Sequence, residues 1–205
     1  MKRDAFDSAR VFDIAIAVAA IVVTAPVLLV AAIAVMVTSR GSVLFQQARV
    51  GQFGRLFDVY KFRTMYVNDI DPITVGTVSS EHRLVTPVGG VLRRLKIDEL
   101  PQLWNVLAGD MSLFGPRPTL LEQAADYDDV QRRRLQVRPG LTGWAQVNGN
   151  IQLSWDDRIL LDLWYVDHRS LSLNLRILWK TVWVVIFGER PSVEAIDAAR
   201  IHRSG

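Results

Sequence analysis

The sequence predicts an α+β protein made of an N-terminal re-entrant membrane helix hairpin, a β-hairpin, and a small, mostly helical domain with interfacial amphipathic helices. Three observations indicate this architecture. Residues 14–37 contain no charged side chain, two apolar and aromatic runs flank a turn at residues 51–54, and most later segments repeat apolar residues with a helical period. With 205 residues, half of them hydrophobic, the chain can bury one sizeable core.

Composition narrows the classes of function. A net charge of +3 and a pI near 9.5 indicate an anionic partner, which could be nucleic acid, a membrane surface or a phosphorylated substrate, and the apolar content favours a membrane. The absence of cysteine excludes disulfides, thiolate nucleophiles and cysteine-based zinc sites. The three histidines, His82, His168 and His202, are interpreted as structural or surface residues.

The apolar run at residues 14–37 is long enough to cross a bilayer, since 24 helical residues extend about 36 Å. A single spanning anchor is therefore one interpretation. Pro26 instead favours a hairpin, because it removes a helical hydrogen bond near the middle and leaves two halves of about 18 Å each. Thr24 could support the bend through a bond to the Ala20 carbonyl. Basic residues flank both ends, which predicts that both lie on the cytoplasmic side.

The β-hairpin is expected over residues 43–50 and 55–62, and it places Lys61 at the edge of the soluble part. Residues 68–90 are rich in turn formers and predict a loop over the site.

Asp98 and Glu99 form the most informative pair of residues. Apolar residues at 100, 103, 104 and 107 predict a helix from about residue 99 to Ala108, with Gly109 as its stop. Asp98 would then be the N-cap, where free backbone N–H groups keep a carboxylate ionised and also attract phosphate. On a common surface helix the same two acids would be only a cap and a first-turn residue. Basic residues at 93, 94 and 96 and Arg117, held between two prolines, favour phosphate chemistry.

The later segments predict three helices and a structured loop. Residues 120–135 form the first predicted helix, whose arginines at 132–134 are expected in solvent or at lipid headgroups. Glycine-punctuated residues 138–149 predict a turn where backbone can approach a ligand closely. A helix from 155 to about 166 carries Asp162 among apolar neighbours, so this acid needs an arginine or a metal as partner.

The segment at residues 171–187 is apolar but carries Arg176 and Lys180 beside two tryptophans, which indicates an interfacial helix lying on the membrane. Core packing of the same stripe is the alternative. Residues after Pro191 are expected to form a loosely ordered tail. The predicted division is a membrane helix at 1–40, a cytoplasmic catalytic domain at 41–190 and a tail at 191–205.

Six segments of this chain together resemble the bacterial sugar transferases, the small monotopic phosphoglycosyl transferases. They are residues 60–65 (YKFRTM), 98–102 (DELPQ), 109–112 (GDMS), 115–118 (GPRP), 137–149 (VRPGLTGWAQVNG) and 161–166 (LDLWYV). The resemblance covers most of the chain. One departure is at the helix break, where the family usually carries Ser-Pro and this chain has Thr24-Ala25-Pro26.

The resemblance implies an enzyme of the bacterial inner membrane, with its catalytic domain on the cytoplasmic face. It would transfer a sugar-1-phosphate from a UDP-sugar to polyprenyl (undecaprenyl) phosphate, releasing UMP. Asp98 would be the nucleophile that forms an aspartyl phosphosugar, with Glu99 beside it and both acids as ligands of Mg²⁺. Its other partners would be inner-membrane lipids and downstream glycosyltransferases of a surface glycan pathway, and no nucleic acid.

The resemblance also assigns supporting residues. Phosphate would be bound by Lys61, Arg94 and Arg117, the last oriented by its flanking prolines. The nucleotide would be recognised by Arg138, Gly143, Trp144, Gln146 and Asn148. Asp162 would support the site.

The sequence leaves two other functions open. A membrane-anchored glycosyl transferase would break the sugar–phosphate bond and release a nucleoside diphosphate. A non-catalytic basic module would bind anionic lipid or nucleic acid, although no basic groove with interleaved aromatic residues supports nucleic acid. Residues 68–90 and 149–158 are expected to select the sugar, which the sequence does not identify.

Overall fold

The computed structural model describes residues 4–66 and 84–204, and the chain divides into two compact units. The first unit comprises Met1–Ala48 and Asp58–Gly109, and the second comprises Arg49–Phe57 and Asp110–Gly205. The structure therefore groups the N-terminal helix with the segment that carries the Asp98–Glu99 pair. Most of the predicted loop at 68–90, and His82 with it, lies outside the described residues.

The N-terminal segment forms one helix, α1 (Asp4–Thr38), with Pro26 inside it. The two separate half-helices predicted from Pro26 are not found. The predicted contact of Thr24 is confirmed, because its Oγ1 donates to the Ala20 carbonyl oxygen at 2.6 Å. Ala9–Thr38 is long and apolar enough to cross a membrane, with a mean hydropathy of 2.8, and only 11% of its most apolar window is buried.

The parts of α1 before and after Pro26, here called its two arms, both contact the rest of the first unit. Near its C-terminal end, Ala31 and Val35 pack in a core with Phe62 and Leu92. Near its N-terminal end, Arg10 Nη2 donates to a backbone carbonyl of the helix at residues 103–108, at 3.0 Å. The apolar side chains between these contacts are largely exposed, among them Val18, Val22, Val23, Val27, Leu29 and Val30.

The predicted β-hairpin is confirmed as strands β1 (Leu44–Val50) and β2 (Leu56–Phe62), joined by a short 3-10 turn at Gln52–Gly54. Asn105 fixes the next elements to β2 through two hydrogen bonds. Its Nδ2 donates to Asp58 O at 2.7 Å, and its Oδ1 accepts from the Tyr60 N–H at 3.2 Å.

Helix α2 (Pro87–Arg94) begins after Thr86, whose hydroxyl accepts from the Gly89 N–H. A Cβ at Gly89 would lie 2.0 Å from the Thr64 carbonyl oxygen, so only glycine fits there without a shift of the backbone. Helix α2 is thereby placed against the chain that leaves the β-hairpin.

The segment around Asp98 differs from the single helix that the periodicity predicts. Ile97–Gln102 is a 3-10 helix, and α3 (Leu103–Ala108) follows it. The N-cap of the 3-10 helix is Lys96, in the left-handed conformation with φ 58°, so the prediction of Asp98 as N-cap is wrong. Pro101 explains the difference, because it donates no backbone hydrogen bond and restricts the residue before it. Gly109 ends α3 with φ 97°, as predicted.

In the second unit, β3 (Ser112–Phe114) pairs in parallel with β4 (Gly140–Thr142), a sheet that the sequence did not predict. Two loop glycines serve this pairing. A Cβ at Gly140 or at Gly143 would lie 2.1 Å from backbone atoms of Gly115. The close approach expected toward a ligand is therefore made to the backbone that precedes the Pro-Arg-Pro segment.

The remaining helices are α4 (Leu121–Ala125), α5 (Trp144–Val147), α6 (Trp155–His168), α7 (Leu171–Phe187) and α8 (Val193–Ser204). The helices predicted at 155–166 and 171–187 are confirmed. The helix predicted at 120–135 is α4 followed by a 3-10 segment at Gln131–Gln136. The prediction of a loosely ordered tail after Pro191 is wrong, because α8 packs against α6 and buries Ala195 and Ala199.

Helix α7 has one buried and one exposed face. Leu173 and Ile177 are buried, whereas a stripe along the helix is exposed. The exposed stripe consists of Leu171, Leu175, Leu178, Trp179, Val182, Trp183, Ile186 and Phe187. Core packing therefore accounts for only part of its apolar surface.

Candidate active site

The first unit brings a lysine and the acidic pair together. Asp98 is 8% exposed, and Glu99 Oε1 accepts from Lys61 Nζ at 2.9 Å. The 3-10 turn places the two acids on different faces, because residues three apart share a face in such a helix. Lys61 thus offsets the negative charge of Glu99, and the two carboxylates have different surroundings.

Arg93, which is not among the predicted site residues, is the arginine of α2 on which the charges of these acids act. Its Nε donates to Thr64 Oγ1 at 2.8 Å, and burial lowers the pKa of Arg93 while the charges of Asp98 and Glu99 oppose that shift. Arg94, the selected residue, is exposed. The helical spacing could have predicted this, since Arg93 lies four residues after the closely packed Gly89 and is therefore on the same, packed face of α2.

A buried amide lies close to the acidic pair. Gln102 is 3% exposed, and its Nε2 has no hydrogen-bond partner among the described residues. It follows Glu99 by three positions in the 3-10 helix, so the two side chains lie on the same face. A donor without an acceptor is therefore present on the Glu99 face.

In the second unit, a buried ion pair supports the Pro-Arg-Pro segment. Arg134 forms an ion pair with Asp162, and both side chains are only 4% exposed. Arg134 also donates to the Tyr127 hydroxyl and, at 3.3 Å, to the backbone carbonyl of Arg117. Arg49 Nη1 donates to the Pro118 carbonyl at 3.3 Å. Two successive backbone carbonyls, those of Arg117 and Pro118, are thus held by arginines.

The environment of this pair corrects one prediction and confirms another. Burial raises the pKa of Asp162, and the adjacent Arg134 opposes that shift. The predicted arginine partner of Asp162 is confirmed. The expectation that residues 132–134 lie in solvent or at headgroups is wrong for Arg134, because this arginine is buried in its ion pair with Asp162.

The residues expected to recognise the nucleotide are mostly enclosed. Trp144 is 6% exposed, stacks on Trp164 with ring centroids 5.2 Å apart, and has Lys180 Nζ 5.1 Å from its ring centroid. Asn148 is fully buried, and its amide binds Lys180 at 2.6 Å and the Trp144 carbonyl at 2.7 Å. Burial lowers the pKa of Lys180, and the charge of Arg176 adds to this. The Trp144 ring therefore has no open face for a base.

Two polar atoms of the same loop have unused hydrogen-bonding capacity within the described part of the chain. Trp144 Nε1 and Gln146 Oε1 are buried and have no hydrogen-bond partner among the described residues. The Gln146 Nε2 donates to Leu141 O at 3.2 Å, and Arg138 is half-buried. Gly143 serves the backbone contact with Gly115.

The donor set suits Mg²⁺ but no metal that needs a cage of protein ligands. No group of three or more His, Cys, Asp or Glu residues able to hold a metal occurs in residues 4–66 and 84–204. Mg²⁺ is commonly bound through one or two carboxylates together with substrate phosphates and water. Asp98 and Glu99 supply hard oxygen ligands of that kind.

Comparison with known proteins identifies the family. Residues 5–188 match the family described as bacterial sugar transferase. The chain is 42% identical over 180 residues to the uncharacterized sugar transferase EpsL of Bacillus subtilis (strain 168), which covers 88% of each protein.

Longer relatives are matched over part of their length. The chain is 42% identical over 192 residues to the undecaprenyl-phosphate glucose phosphotransferase of Komagataeibacter xylinus, covering 87% of this chain and 36% of that protein. It is also 42% identical over 188 residues to the UDP-N-acetylgalactosamine-undecaprenyl-phosphate N-acetylgalactosaminephosphotransferase of Aeromonas hydrophila, covering 87% of this chain and 44% of that protein. This chain spans less than half of either relative. The family match over most of the sequence shows that the chain belongs to the bacterial sugar transferase family.

Proposed function

We propose that this enzyme transfers a sugar-1-phosphate from a UDP-sugar to polyprenyl phosphate at the cytoplasmic face of the bacterial inner membrane. The observation that carries the proposal is the adjacent Asp98–Glu99 pair, held with Lys61 and facing Arg93. The names of the Komagataeibacter and Aeromonas relatives support a polyprenyl phosphate acceptor, and the Aeromonas name supports a UDP-sugar donor. Glucose and N-acetylgalactosamine enzymes are equally similar to this chain, so overall identity does not select the sugar.

The first step is an in-line attack by a carboxylate oxygen of Asp98 on the phosphorus that carries the sugar. The new O–P bond forms as the bond to the bridging oxygen of the diphosphate breaks, and UMP leaves with that electron pair. In the second step, a phosphate oxygen of the polyprenyl phosphate attacks the same phosphorus. The aspartyl O–P bond breaks, Asp98 regains its carboxylate, and the product is a polyprenyl diphosphate sugar.

Splitting the transfer into two steps keeps the two anionic substrates from having to meet in one transition state. A carboxylate that attacks a diphosphate still meets strong repulsion, so positive groups must lie around the reacting phosphorus. Lys61 and Arg93 are the proposed cations near the acidic pair, and Arg93 replaces Arg94 in this role. Arg117 remains the proposed phosphate ligand of the second unit. Asp98 and Glu99 would hold Mg²⁺, which would further neutralise phosphate charge.

The proposed membrane arrangement is monotopic, with both ends of α1 on the cytoplasmic side. Arg10 and Ala31 are separated by about 31 Å in a straight helix, which equals the thickness of a bilayer core. Both residues nevertheless contact elements of the same unit. A straight spanning helix would place one of these contacts across the membrane, so the contacts of both arms support entry and return on one face.

The exposed stripe of α7 supports a second membrane contact. Tryptophan and leucine on one helix face, with Arg176 on the same helix, are typical of helices that lie in the lipid interface. An enzyme with an interfacial acceptor needs its site near the headgroups. The lipid-linked product would then pass to glycosyltransferases of a surface glycan pathway.

The test uses the purified full chain in lipid nanodiscs, with Mg²⁺ and a panel of labelled UDP-sugars. Without polyprenyl phosphate, the wild type should release one UMP per active site and retain the labelled sugar phosphate covalently. Adding polyprenyl phosphate should discharge the label into lipid. Asp98→Asn should show neither event, whereas Asp129→Asn, which removes an exposed acid, should behave as the wild type.

The two rival functions give different products. Release of UDP in place of UMP would indicate a glycosyl transferase that breaks the sugar–phosphate bond. Lipid binding by a chain that turns over no sugar nucleotide of the panel would indicate the non-catalytic membrane module. Normal turnover by Asp98→Asn would contradict the covalent mechanism.

A further inference from the structure

Arg158, on the first turns of α6, is a cation that the proposed mechanism does not use. Its guanidinium carbon lies 5.6 Å from the centroid of the Trp155 ring, and the side chain is half-buried. Its Nε is buried without a hydrogen-bond partner, and the side chain makes no hydrogen bond or ion pair within the part of the chain that the structure describes. A guanidinium carries five N–H donors, so this side chain has an unused binding capacity.

One further arginine lies against the same aromatic ring and binds the backbone of a third. The Arg134 guanidinium carbon is 5.8 Å from the Trp155 ring centroid, and Arg134 donates to the backbone carbonyl of Arg117. Burial lowers the pKa of Arg158, and the positive charges of Arg117 and Arg134 add to that effect. Arg158 therefore lies in the positive field of two other arginines of the second unit.

Two carboxylates oppose this positive charge only in part. Asp162 is committed to its ion pair with Arg134, and Glu189 accepts from Asn150 Nδ2 at 2.7 Å. Both acids act on Arg158 at a distance, since neither forms an ion pair with it. Asp162 and Glu189 therefore oppose the positive field at Arg158 without engaging its guanidinium donors.

We propose that Arg158 and Arg117 form an anion subsite that binds a phosphate group of a substrate. The cation–π contact with Trp155 restricts the Arg158 guanidinium, and a guanidinium fork can bind a phosphate through two parallel hydrogen bonds. An anion would also offset the positive field that Arg117 and Arg134 exert on Arg158. The subsite rests on the proposed function for its ligands, which are the diphosphate of the nucleotide sugar and the phosphate of the polyprenyl lipid.

The experiment compares Arg158→Gln with Arg200→Gln in the purified full chain in nanodiscs. Arg200 pairs with Asp157 at 3.0 Å, so its replacement removes the same charge from a paired surface site. Inorganic pyrophosphate is the probe for binding, followed by calorimetry and by its effect on Tm. We expect Arg158→Gln to weaken pyrophosphate binding about tenfold or more, because charge-assisted hydrogen bonds are lost, and Arg200→Gln to leave it unchanged.

Kinetics then identify which phosphate is bound. A tenfold rise in KM for the UDP-sugar alone assigns the subsite to the diphosphate, and a rise for polyprenyl phosphate alone assigns it to the lipid. The Tm of Arg158→Gln without ligand should not fall, since the variant removes an unpaired cation from a positive field. Arg158→Met, which keeps an apolar stem on Trp155, provides the same comparison if Arg158→Gln does not fold.

Unchanged pyrophosphate affinity and unchanged KM for both substrates in a folded variant would overturn the subsite. A lower Tm with unchanged binding would overturn it as well, and would assign Arg158 a packing role. Pyrophosphate binding needs no turnover. Pyrophosphate binding that depends on Arg158 would therefore support the subsite even if the protein transfers no sugar phosphate. Normal sugar-phosphate transfer by the wild type, with pyrophosphate affinity and KM unchanged in the Arg158 variants, would reject the subsite and leave the proposed function intact.

Discussion

Arg134 joins the buried carboxylate of Asp162 to the backbone of Arg117, through an ion pair on one side and a 3.3 Å hydrogen bond to a carbonyl oxygen on the other. An ion pair inside a protein contributes little net stability, because desolvation offsets most of the attraction. Its geometric effect is larger here. The pair fixes the main chain that carries a proposed phosphate-binding arginine.

Separate replacement of the two partners should therefore be costly, and joint replacement should not. Asp162→Asn leaves the Arg134 charge buried without its partner, and we expect a loss of about 3–5 kcal/mol in the free energy of unfolding. The double variant Asp162→Leu with Arg134→Met should recover most of that loss, as measured by denaturant unfolding in detergent.

Activity should not recover with stability in the double variant. Without Arg134 the carbonyl of Arg117 loses its donor, so kcat/KM should remain at least about tenfold below that of the wild type. Wild-type turnover by a stable double variant would show that the pair does not position Arg117.

Arg117 itself should not tolerate a lysine. Its flanking prolines limit the backbone to extended geometry, and a guanidinium presents a planar fork that an ammonium cannot reproduce. We expect Arg117→Lys and Arg117→Ala both to lower kcat/KM about 100-fold or more. A lysine variant that retained most activity would reduce the role of Arg117 to a point charge.

The buried amides of the first unit provide a matched pair. Asn105 is fully hydrogen-bonded to β2, whereas the Gln102 Nε2 has no partner among the described residues. Asn105→Leu should lower the free energy of unfolding by about 2 kcal/mol or more, because it leaves two backbone groups unpaired. Gln102→Met should be neutral or stabilising, since it removes an unsatisfied amide.

The activity of Gln102→Met then tests whether the amide serves the site. The amide donor shares the Glu99 face, so we expect kcat to fall although stability holds. Full activity together with raised stability would show that the amide has no role in transfer. The stability arm is measured by denaturant unfolding of the detergent-solubilised protein.

Strong local signals made part of the fold predictable. The hairpin, the helices at 155 and 171, and the stop at Gly109 follow from turn residues and periodicity that act within a few positions. Asp162 was also predictable, since a carboxylate among apolar neighbours requires a partner. The identity of that partner was not, because Arg134 lies 28 residues away and meets Asp162 only in the folded protein.

The missed features depend on tertiary contacts. Strands β3 and β4 have three residues each, too few to show a period, and they form because glycines let their backbones approach. Helix α8 buries little besides two alanines, so its sequence resembles a polar tail. The sequence predicts Trp144 as a stacking surface for a base, but its ring is stacked on Trp164 and contacted by Lys180.

Membrane topology gives a further prediction. The chain has no cysteine, so single cysteines at Ser8 and Ser42 report on the two ends of α1 without interference. If both arms remain on the cytoplasmic side, an impermeant thiol reagent should label neither site in intact cells and both sites in inverted vesicles. Labelling of one site alone from outside would establish a spanning helix and reject the monotopic arrangement.

Pro26→Leu tests what maintains that topology. Leucine restores the missing hydrogen bond and favours a straight, spanning helix, so one of the two cysteines should become accessible from outside in a fraction of molecules. The contacts of Arg10 with Leu107 and of Ala31 with Leu92 act against this, because a spanning helix would have to break one of them. Combining Pro26→Leu with Arg10→Ala should therefore increase the spanning fraction beyond either change alone. Unaltered labelling in the combined variant would mean that neither the proline nor the arginine contact determines the return of α1 to the cytoplasmic face.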